Sequence, residues 1–459
     1  MFRSVQDPTD PPAICAALVG VGEFGSSFLF RSGRAEGLRV AAAADPDTNK
    51  IVEAAMTAGW PRDKVSVCGT TAQVSQAFDR TDLVAVTDAR LLTHLPLDFI
   101  VEATGAPESA AKVALTAIAN KINVAMVSKE CDSVVGPILQ ERARQAGVFS
   151  TIVDGDQPSL AVGLIQWARH LGLEVVCAGK ASEYDFVADL SGEQVTANNR
   201  QESTPGLAGL WASTDANATD QVAARARLMS SWPHATTPDL CELGLIANAT
   251  DLNPASPSLH APIARTVELP HLFRPRSDGG LLDHSGSLDI FNCLRRPDEL
   301  SFAGGVFVIV KCDDPATWAV LRGKGIPVSA DGRYGLLHNP VHLLGLEAPA
   351  TLFKTIQDRQ PAAQFTPRYD LVAQTTEPLR AGTRLTMGPR HSIHGLKALL
   401  LPAQPARASA PIPYYMAADQ ILASDVPAGA MLETEQLCPP AESTLWSLRA
   451  DQDQLFFPA

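Results

Sequence analysis

A glycine-rich turn near the start of the chain constrains the fold more than any other feature. Gly20, Gly22 and Gly25 form a G-x-G-x-x-G pattern directly after the apolar run Ile14–Val19. In a dinucleotide-binding unit the first glycine allows a tight turn, the second lets the backbone approach a pyrophosphate, and the third lets the next helix pack on the strand. Free N–H groups at that helix N-terminus favour anions. The pattern therefore predicts a strand, a phosphate-binding turn and a helix.

A second apolar run ends in the acidic residue that such a unit uses. Leu38–Ala44 predicts a strand, and Asp45 follows it, twenty residues after Gly25. A carboxylate there accepts hydrogen bonds from ribose hydroxyls and repels a 2′-phosphate, which favours NAD over NADP. Arg39 or Lys50 could still accommodate NADP by folding over the ribose. The alternative is that Asp45 only caps the following helix.

Short apolar runs alternate with helical patterns up to about residue 150. This alternation predicts a doubly wound parallel sheet, in which ligands bind outside the carboxyl ends of the strands. The other candidate cofactor contacts all lie at such ends, and they are Glu23, Phe24, Thr104, Gly105, Lys129 and Glu130. Lys129 could also polarise a substrate carbonyl, with a solvated lysine as the alternative.

The length and the changes of pattern predict three domains. A chain of 459 residues is too long for one compact core. We expect a dinucleotide-binding domain over residues 12–150 and an α+β catalytic domain over residues 151–365. Short strand-turn units with glycine at the turn predict a small β-rich domain over residues 366–459.

Composition limits the partners and the compartment. The formal net charge of −13 argues against nucleic acid or an anionic membrane surface, although a local basic pocket could still bind a small anionic substrate. The eight cysteines are scattered without a C-x-x-C, which favours reduced thiols. No signal peptide or long apolar run is evident, so we expect a cytoplasmic protein that does not enter the membrane.

Two carboxylates follow the predicted strand Phe149–Val153. Asp154 and Asp156 would lie on one face if the strand continued through them. Such a pair can share a proton or hold Mg²⁺ or Mn²⁺. The alternative is a turn in which an aspartate caps a helix that starts near Pro158. Gln157, next to them, is a candidate substrate contact.

Basic and polar residues further along suggest a site for an anionic substrate. Lys180 follows the predicted strand Leu173–Ala178 and could bind a phosphate or carboxylate, or protonate a developing alkoxide. Lys324 lies among glycines and Arg333 lies nearby, which suits an anionic group, although both could be plain surface residues. One polar loop adds the candidate substrate contacts His338, Asn339 and His342.

A set of motifs spread over most of the chain resembles one family. Besides the glycine turn, they are Asp154–Pro158, Ile246–Thr250, Ser258–His260, Gly304–Phe307 and His342–Glu347. They resemble the homoserine-dehydrogenase-like oxidoreductases with a C-terminal SAF domain, which include the reductoisomerase-like (DRL) enzymes. Met387–His391 stands where that family has a glycine-rich turn.

The resemblance implies a Rossmann domain, a catalytic α/β domain, a SAF-like β domain, a nicotinamide cofactor and a homodimer. The reductoisomerase relatives imply NADP, whereas Asp45 favours NAD. The resemblance strengthens the functional interpretation of Lys129. Lys180, Asp154 and Asp156 are further catalytic candidates. The leading hypothesis is an NAD(P)-dependent oxidoreductase for a small polyhydroxylated, phosphorylated or acidic substrate, of the 1-deoxy-D-xylulose 5-phosphate reductoisomerase type.

Two alternatives stay open. One is a simple dehydrogenase of the homoserine type, which transfers a hydride without rearranging the carbon skeleton. The other is a non-catalytic nucleotide-binding or regulatory protein. The sequence contains no G-x-S-x-G, H-E-x-x-H or Walker pattern, so hydrolase and kinase functions lack support.

Overall fold

The computed structural model describes residues 14–32, 34–212 and 217–458. Positions 12, 13 and 459, at the ends of the predicted domains, lie outside the described residues. Within these ranges the chain forms a seven-stranded sheet, an eight-stranded sheet and two two-stranded ribbons. None of the helices in these ranges is long and apolar enough to cross a membrane.

The first sheet is parallel and doubly wound, as the sequence predicts. Its strands are β1 (Ile14–Val19), β2 (Leu38–Ala44), β3 (Val65–Val67), β4 (Leu83–Val86), β5 (Phe99–Glu102), β6 (Asn123–Met126) and β7 (Ser150–Ile152). The intervening helices are α1 (Glu23–Ser32), α2 (Thr48–Thr57), α3 (Thr71–Asp79), α4 (Pro107–Ala119) and α5 (Lys129–Ala146). The strand order is β3-β4-β2-β1-β5-β6-β7, so the winding reverses between β1 and β5. Ligands of such sheets bind in the crevice at this reversal.

Two elements depart from the predicted boundaries in ways that matter for the site. The predicted helix Pro137–Gln145 is part of α5, which already begins at Lys129. Proline favours the first turn of a helix, but here Pro137 lies inside one. The predicted division after residue 150 falls inside β7, which pairs with β6 in the first sheet.

The second sheet is built around one long strand. Its strands are β8 (Val175–Asp189), β9 (Gln194–Ala197), β10 (Arg200–Ser203), β11 (Asn253–Pro254), β12 (Ile263–Ala264), β13 (Ser287–Arg295), β14 (Val306–Lys311) and β15 (Tyr334–Asn339). Its helices are α6 (Gln157–His170), α7 (Ala218–Leu228), α8 (Thr237–Ala249), α9 (Leu269–Leu272), α10 (Pro315–Gly323) and α11 (Ala348–Asp358). β8 lies between β13, which is parallel to it, and β14, which is antiparallel.

The third region is small and β-rich, and its last helix packs on the first region. β16 (Tyr369–Thr375) pairs with β17 (Leu396–Pro402), and β18 (Ile421–Leu422) pairs with β19 (Leu437–Cys438). The final helix, α12 (Thr444–Phe456), packs on α4 and α5 of the first region. The three regions are therefore in direct contact.

Candidate active site

A cavity of about 580 Å³ lies where the carboxyl edge of the first sheet meets the second sheet. The candidate residues that line it are Glu23, Phe24, Gly105, Lys129, Glu130, Asp156, Gln157, Lys180 and His342. Most of them follow strands of the first sheet or begin the next helix. These residues, which the sequence analysis proposed separately, therefore lie around one cavity.

The glycine turn fits the close approach of a phosphate group. Gly20 has a φ of +94°, and a Cβ on it would lie 2.4 Å from the Ala103 carbonyl oxygen. A Cβ on Gly25 would lie 2.1 Å from the Gly20 carbonyl oxygen, so α1 packs tightly against the turn. Gly22 has nothing within 4 Å of a Cβ position, so its backbone faces open space at the start of α1. These are the three roles that a dinucleotide-binding turn requires.

We expect two alanine substitutions in this turn to separate binding from folding. Gly22→Ala places a methyl group where the pyrophosphate would approach, so NADH should bind about tenfold more weakly, or about 1.4 kcal/mol. Its thermal unfolding midpoint should stay unchanged, because the methyl group meets no protein atom. Gly25→Ala should lower the unfolding free energy by about 1–3 kcal/mol through overpacking. Calorimetric titration and thermal unfolding measure the two effects, and an equal loss of stability in both variants would contradict this assignment.

Asp45 fastens the glycine turn to the second strand. Its Oδ2 accepts a hydrogen bond from Val21 N at 2.9 Å, and its Oδ1 accepts one from Asp47 N at 3.0 Å. Arg39 packs on the Phe78 ring and donates to the Phe78 carbonyl at 3.2 Å. Of Arg39 and Lys50, the two cations that could accommodate a 2′-phosphate, Arg39 is therefore already engaged by Phe78.

The loops after β5 and β6 are bonded to each other. Gly105 N donates to Ser128 Oγ at 2.8 Å. Thr104 donates to Glu102 Oε1 through both its N–H and its hydroxyl, at 2.8 and 2.6 Å. Burial raises the pKa of the Glu102 carboxyl group above its usual value. These bonds fix the backbone on the far side of the crevice from the glycine turn.

Two lysines and three carboxylates form the charged centre of the cavity. Lys180 Nζ contacts Asp239 Oδ1 at 2.9 Å and also contacts Glu242. Lys129 Nζ lies 3.0 Å from Asp156 Oδ2. It also contacts Glu242, through the carboxylate oxygen that Lys180 does not contact. The Lys180 side chain is 1% exposed, whereas that of Lys129 is 22% exposed. Glu242 therefore links a buried lysine to one that is open to the cavity.

The electrostatics keep both lysines charged. Burial alone would raise the pKa of Glu242, but Lys129 and Lys180 lower it to about 2. Burial opposes the charge on each lysine, yet the carboxylates around Lys180 and Lys129 raise the pKa of both. Buried charges are tolerated when they are paired in this way. The cluster thus offers ammonium donors at the cavity wall.

Sequence reasoning missed Asp239 and Glu242, which both lie on α8. Thr236 caps this helix, and its side chain and that of Asp239 form a reciprocal capping box. Asp239 and Glu242 are three residues apart, so they project from the same face of the helix. The rest of α8 is almost entirely apolar and buried. Two acids at this spacing in an apolar helix were the signal that could have found them.

The structure separates Asp154 from Asp156, contrary to the predicted carboxylate pair. Asp156 accepts from Gln157 N at 2.9 Å, so it caps α6 as well as contacting Lys129. Asp154 instead accepts from Ser159 Oγ and lines a different cavity of about 290 Å³. The strand β7 ends before either residue, so the alternation that predicted a shared face does not apply.

The donor set at Asp154 and Asp156 therefore does not fit Mg²⁺ or Mn²⁺. The two carboxylates do not converge, and a hard divalent cation takes several oxygen ligands at once. Over the described ranges, no group of three His, Cys, Asp or Glu side chains is placed to hold a metal ion. We derive no metal-assisted step from these residues.

The predicted substrate contacts divide into three groups. Gln157 is buried and donates to the carbonyls of Ala181 and Gly305 at 3.2 and 3.1 Å, so its amide joins two strands at the cavity wall. His342 lines the cavity, with Nδ1 2.7 Å from the Gly304 carbonyl oxygen. His338 packs on the Phe302 ring instead, and Asn339 follows it; neither lines the cavity.

Lys324 and Arg333 do not reach this cavity, which corrects their predicted role. Register places Val306 beside Lys180 and opposite Asn339, whereas Tyr334 pairs with Lys311 at the other end of β14. Arg333 precedes Tyr334, so it lies about 20 Å from Asn339 along the strand. It pairs there with Asp278 at 2.6 Å, and Lys324 only ends α10. The prediction for Arg333 failed because the antiparallel direction of β15 places the start of this strand at the end of β14 that is far from Lys180.

The site thus combines a doubly wound sheet with a lysine–carboxylate cluster that faces it. Residues 155–348 match the family model described as oxidoreductase DRL, catalytic domain. This match covers somewhat less than half of the chain, so this part of the chain is similar to the catalytic domain of that family. No curated protein matches the chain.

Solved structures that align with parts of the chain include several oxidoreductases. An oxidoreductase from Agrobacterium radiobacter, in complex with NAD⁺, L-tartaric acid and magnesium, aligns at 15% identity over 38% of this chain and 46% of its own, with a TM-score of 0.28. A DOX-P reductoisomerase in complex with magnesium aligns at 15% identity over 37% and 46%, with a TM-score of 0.26. The chain thus spans just under half the length of these two structures. A probable dehydrogenase from Thermotoga maritima aligns at 11% identity over 76% and 90%, with a TM-score of 0.36.

Proposed function

We propose that the protein transfers a hydride between a nicotinamide cofactor and a carbonyl or hydroxyl carbon of a small polyhydroxylated or acidic substrate. One observation carries the proposal: Lys129 and Lys180 share Glu242 in the same cavity that the glycine turn and the loop after β5 border. A nicotinamide cofactor would supply or accept the hydride. The chain supplies the charge and the proton.

The two lysines have different roles in this proposal. Lys129 is the more exposed, so its ammonium group donates a hydrogen bond to the substrate oxygen and stabilises negative charge that develops there. It gives its proton to that oxygen during reduction and takes it back during oxidation. Lys180 is buried between Asp239 and Glu242, and it holds the glutamate in place while adding positive potential.

The charges of the cavity favour a substrate with several hydroxyl groups. Asp156, Glu242 and Glu183 lie at the cavity wall and can accept hydrogen bonds from hydroxyls. With Lys324 and Arg333 elsewhere, Lys129 and Lys180 are the lysines and arginines that line the cavity among the described residues, and Arg390 lies beside it. Arg390 lies 3.7 Å from Glu183. A polyol or hydroxy acid fits this balance better than a strongly anionic molecule.

Two chemical versions of the proposal differ in the fate of the carbon skeleton. The DRL family match favours a reductoisomerase of the 1-deoxy-D-xylulose 5-phosphate type. The divergence of Asp154 from Asp156 favours a simple dehydrogenase, because it removes the predicted metal pair that could assist rearrangement. We propose the simple hydride transfer as the first reaction to test, with NADH as the preferred cofactor because Arg39 is engaged by Phe78.

The deciding experiment follows NADH and NADPH by absorbance with the purified protein. We expect oxidation or reduction of the cofactor with at least one member of a panel of polyols, hydroxy acids and their keto forms. 1-Deoxy-D-xylulose 5-phosphate is included, with and without Mg²⁺ or Mn²⁺. Turnover with it to 2-C-methyl-D-erythritol 4-phosphate would select the reductoisomerase. Tight cofactor binding without turnover on the whole panel would instead support a regulatory protein.

A further inference from the structure

A hairpin of the third region reaches into the cavity between the other two. Gly388 N donates to the Ser392 carbonyl at 2.7 Å, and Met387 pairs with Ile393, so the tip consists of Pro389, Arg390 and His391. The base is held by Tyr414, whose hydroxyl accepts from Ile393 N at 2.7 Å and whose side chain is fully buried. The hairpin is therefore a fixed projection of the third region.

The tip touches both of the other regions. His391 Nδ1 lies 2.8 Å from Glu130 Oε1 on α5, as an ion-pair contact rather than a well-aligned hydrogen bond. Arg390 Nη1 lies 3.7 Å from Glu183 Oε2 and 3.5 Å from the Tyr184 hydroxyl, both on β8. The tip thus spans the opening between the first and second sheets.

His391 also packs directly on the loop after β5. A Cβ on Gly105 would lie 2.7 Å from His391 Cε1, so the imidazole ring occupies the space next to this glycine. The His391 side chain is 40% exposed, and it lines the same cavity as Lys180 and Glu242. Its ring is held at one edge by buried Glu130 and is open to the cavity elsewhere.

The backbone of the tip is held in an unfavourable conformation. Arg390 and His391 have φ values of +55° and +52°, in the left-handed region that side chains other than glycine rarely adopt. Such strain persists only where surrounding contacts impose it, and it concentrates at ligand clamps and active sites. Here the imposed conformation is the one that directs His391 to Gly105.

The position of His391 coincides with the course that a dinucleotide must take. Its pyrophosphate would lie at the glycine turn, and its nicotinamide must extend towards Lys129 and Lys180 for hydride transfer. Gly105 borders this course, because the crevice lies between β1 and β5. A nicotinamide half that followed this course would pass beside the His391 ring, because Gly105, Lys129, Lys180 and His391 line the same cavity.

We propose that the Pro389–His391 tip is a clamp from the third region that holds the nicotinamide half of the cofactor, with His391 as its contact residue. This inference rests on the proposed function. It makes the third region part of the binding site.

The experiment compares NADH with ADP-ribose, which lacks the nicotinamide ring, in the full-length protein. We expect His391→Ala to weaken NADH binding about tenfold, and to speed NADH dissociation in stopped-flow mixing, while ADP-ribose binds as in the wild type. His391→Gln, which keeps a polar side chain, should recover part of the NADH affinity. The matched control is His394→Ala, because His394 lies on the same segment and its side chain is 92% exposed.

The outcomes separate this inference from the proposed function. If the wild type binds NADH and His391→Ala binds it equally well, the clamp is refuted and the proposed function stands. If His391→Ala loses NADH and ADP-ribose to the same extent, the role of His391 is structural and the clamp is refuted. If the wild type binds neither NADH, NADPH nor ADP-ribose, both proposals are overturned.

Discussion

Replacing Lys180 by methionine is expected to lower kcat/KM by about 10²–10³-fold on whichever substrate the protein turns over. Lys180 is buried between Asp239 and Glu242, and its charge helps to set the potential at the substrate oxygen. Its loss also frees Glu242 to hold Lys129 more tightly, which draws the proton donor away from the substrate oxygen. Steady-state kinetics with the cofactor followed by absorbance measures the effect.

A second variant and a control keep this prediction testable. Lys180→Met leaves two buried carboxylates short of a cation, so part of its effect could be loss of folding. Lys129→Met is safer because Lys129 is partly exposed, and it should reduce kcat/KM to a similar extent. Lys324→Met changes the residue that follows α10, outside the lining of the cavity, and should leave kcat/KM unchanged. A folded Lys129→Met variant with wild-type kcat/KM would contradict the proposed roles of the lysines.

The first sheet could be predicted from the sequence because its signals are local. The strands Ile14–Val19 and Leu38–Ala44 are confirmed at their predicted ends. Each is a short apolar run bounded by a turn, which buried parallel strands produce. β8 was predicted only as Leu173–Ala178. Its second half alternates charged and apolar residues, and that part of the strand is buried on one side only.

The candidate site was only partly predictable, because its members come from distant parts of the chain. Lys129 and Lys180 follow strands, and position at the carboxyl end of a strand can be inferred from the sequence. Glu242 and His391 reach the cavity through the packing of α8 and of the third region, which no local pattern specifies. Arg333 was misplaced for the same reason, since the direction of a strand in its sheet depends on long-range pairing.

A buried arginine joins α12 to β16 of the third region, and its loss is expected to cost about 3–5 kcal/mol of unfolding free energy. Arg449 on α12 is 1% exposed, and it donates to both oxygens of Asp370 on β16 at 2.8 Å. Although burial opposes its charge, Asp370 raises the pKa of the Arg449 guanidinium. Arg449→Met leaves the carboxylate buried without its cation. Urea unfolding of the full chain measures the change.

A double variant that also changes Asp370 distinguishes the loss of the ion pair from the loss of packing. In Arg449→Met/Asp370→Asn the buried pair is gone, and the more exposed Asp453, which also contacts Arg449 at 2.7 Å, keeps its charge, so part of the lost stability should return. Arg380→Met is the surface control, because Arg380 pairs with Asp425 in solvent, and its unfolding midpoint should not move.

α12 joins the third region to α5, where Gln452 donates to the Val134 carbonyl at 3.0 Å. Since α5 also carries Glu130, a loosened α12 should weaken NADH binding through the His391 tip as well. If Arg449→Met lost stability but kept full NADH affinity, the third region would not need this anchor to hold the clamp in place.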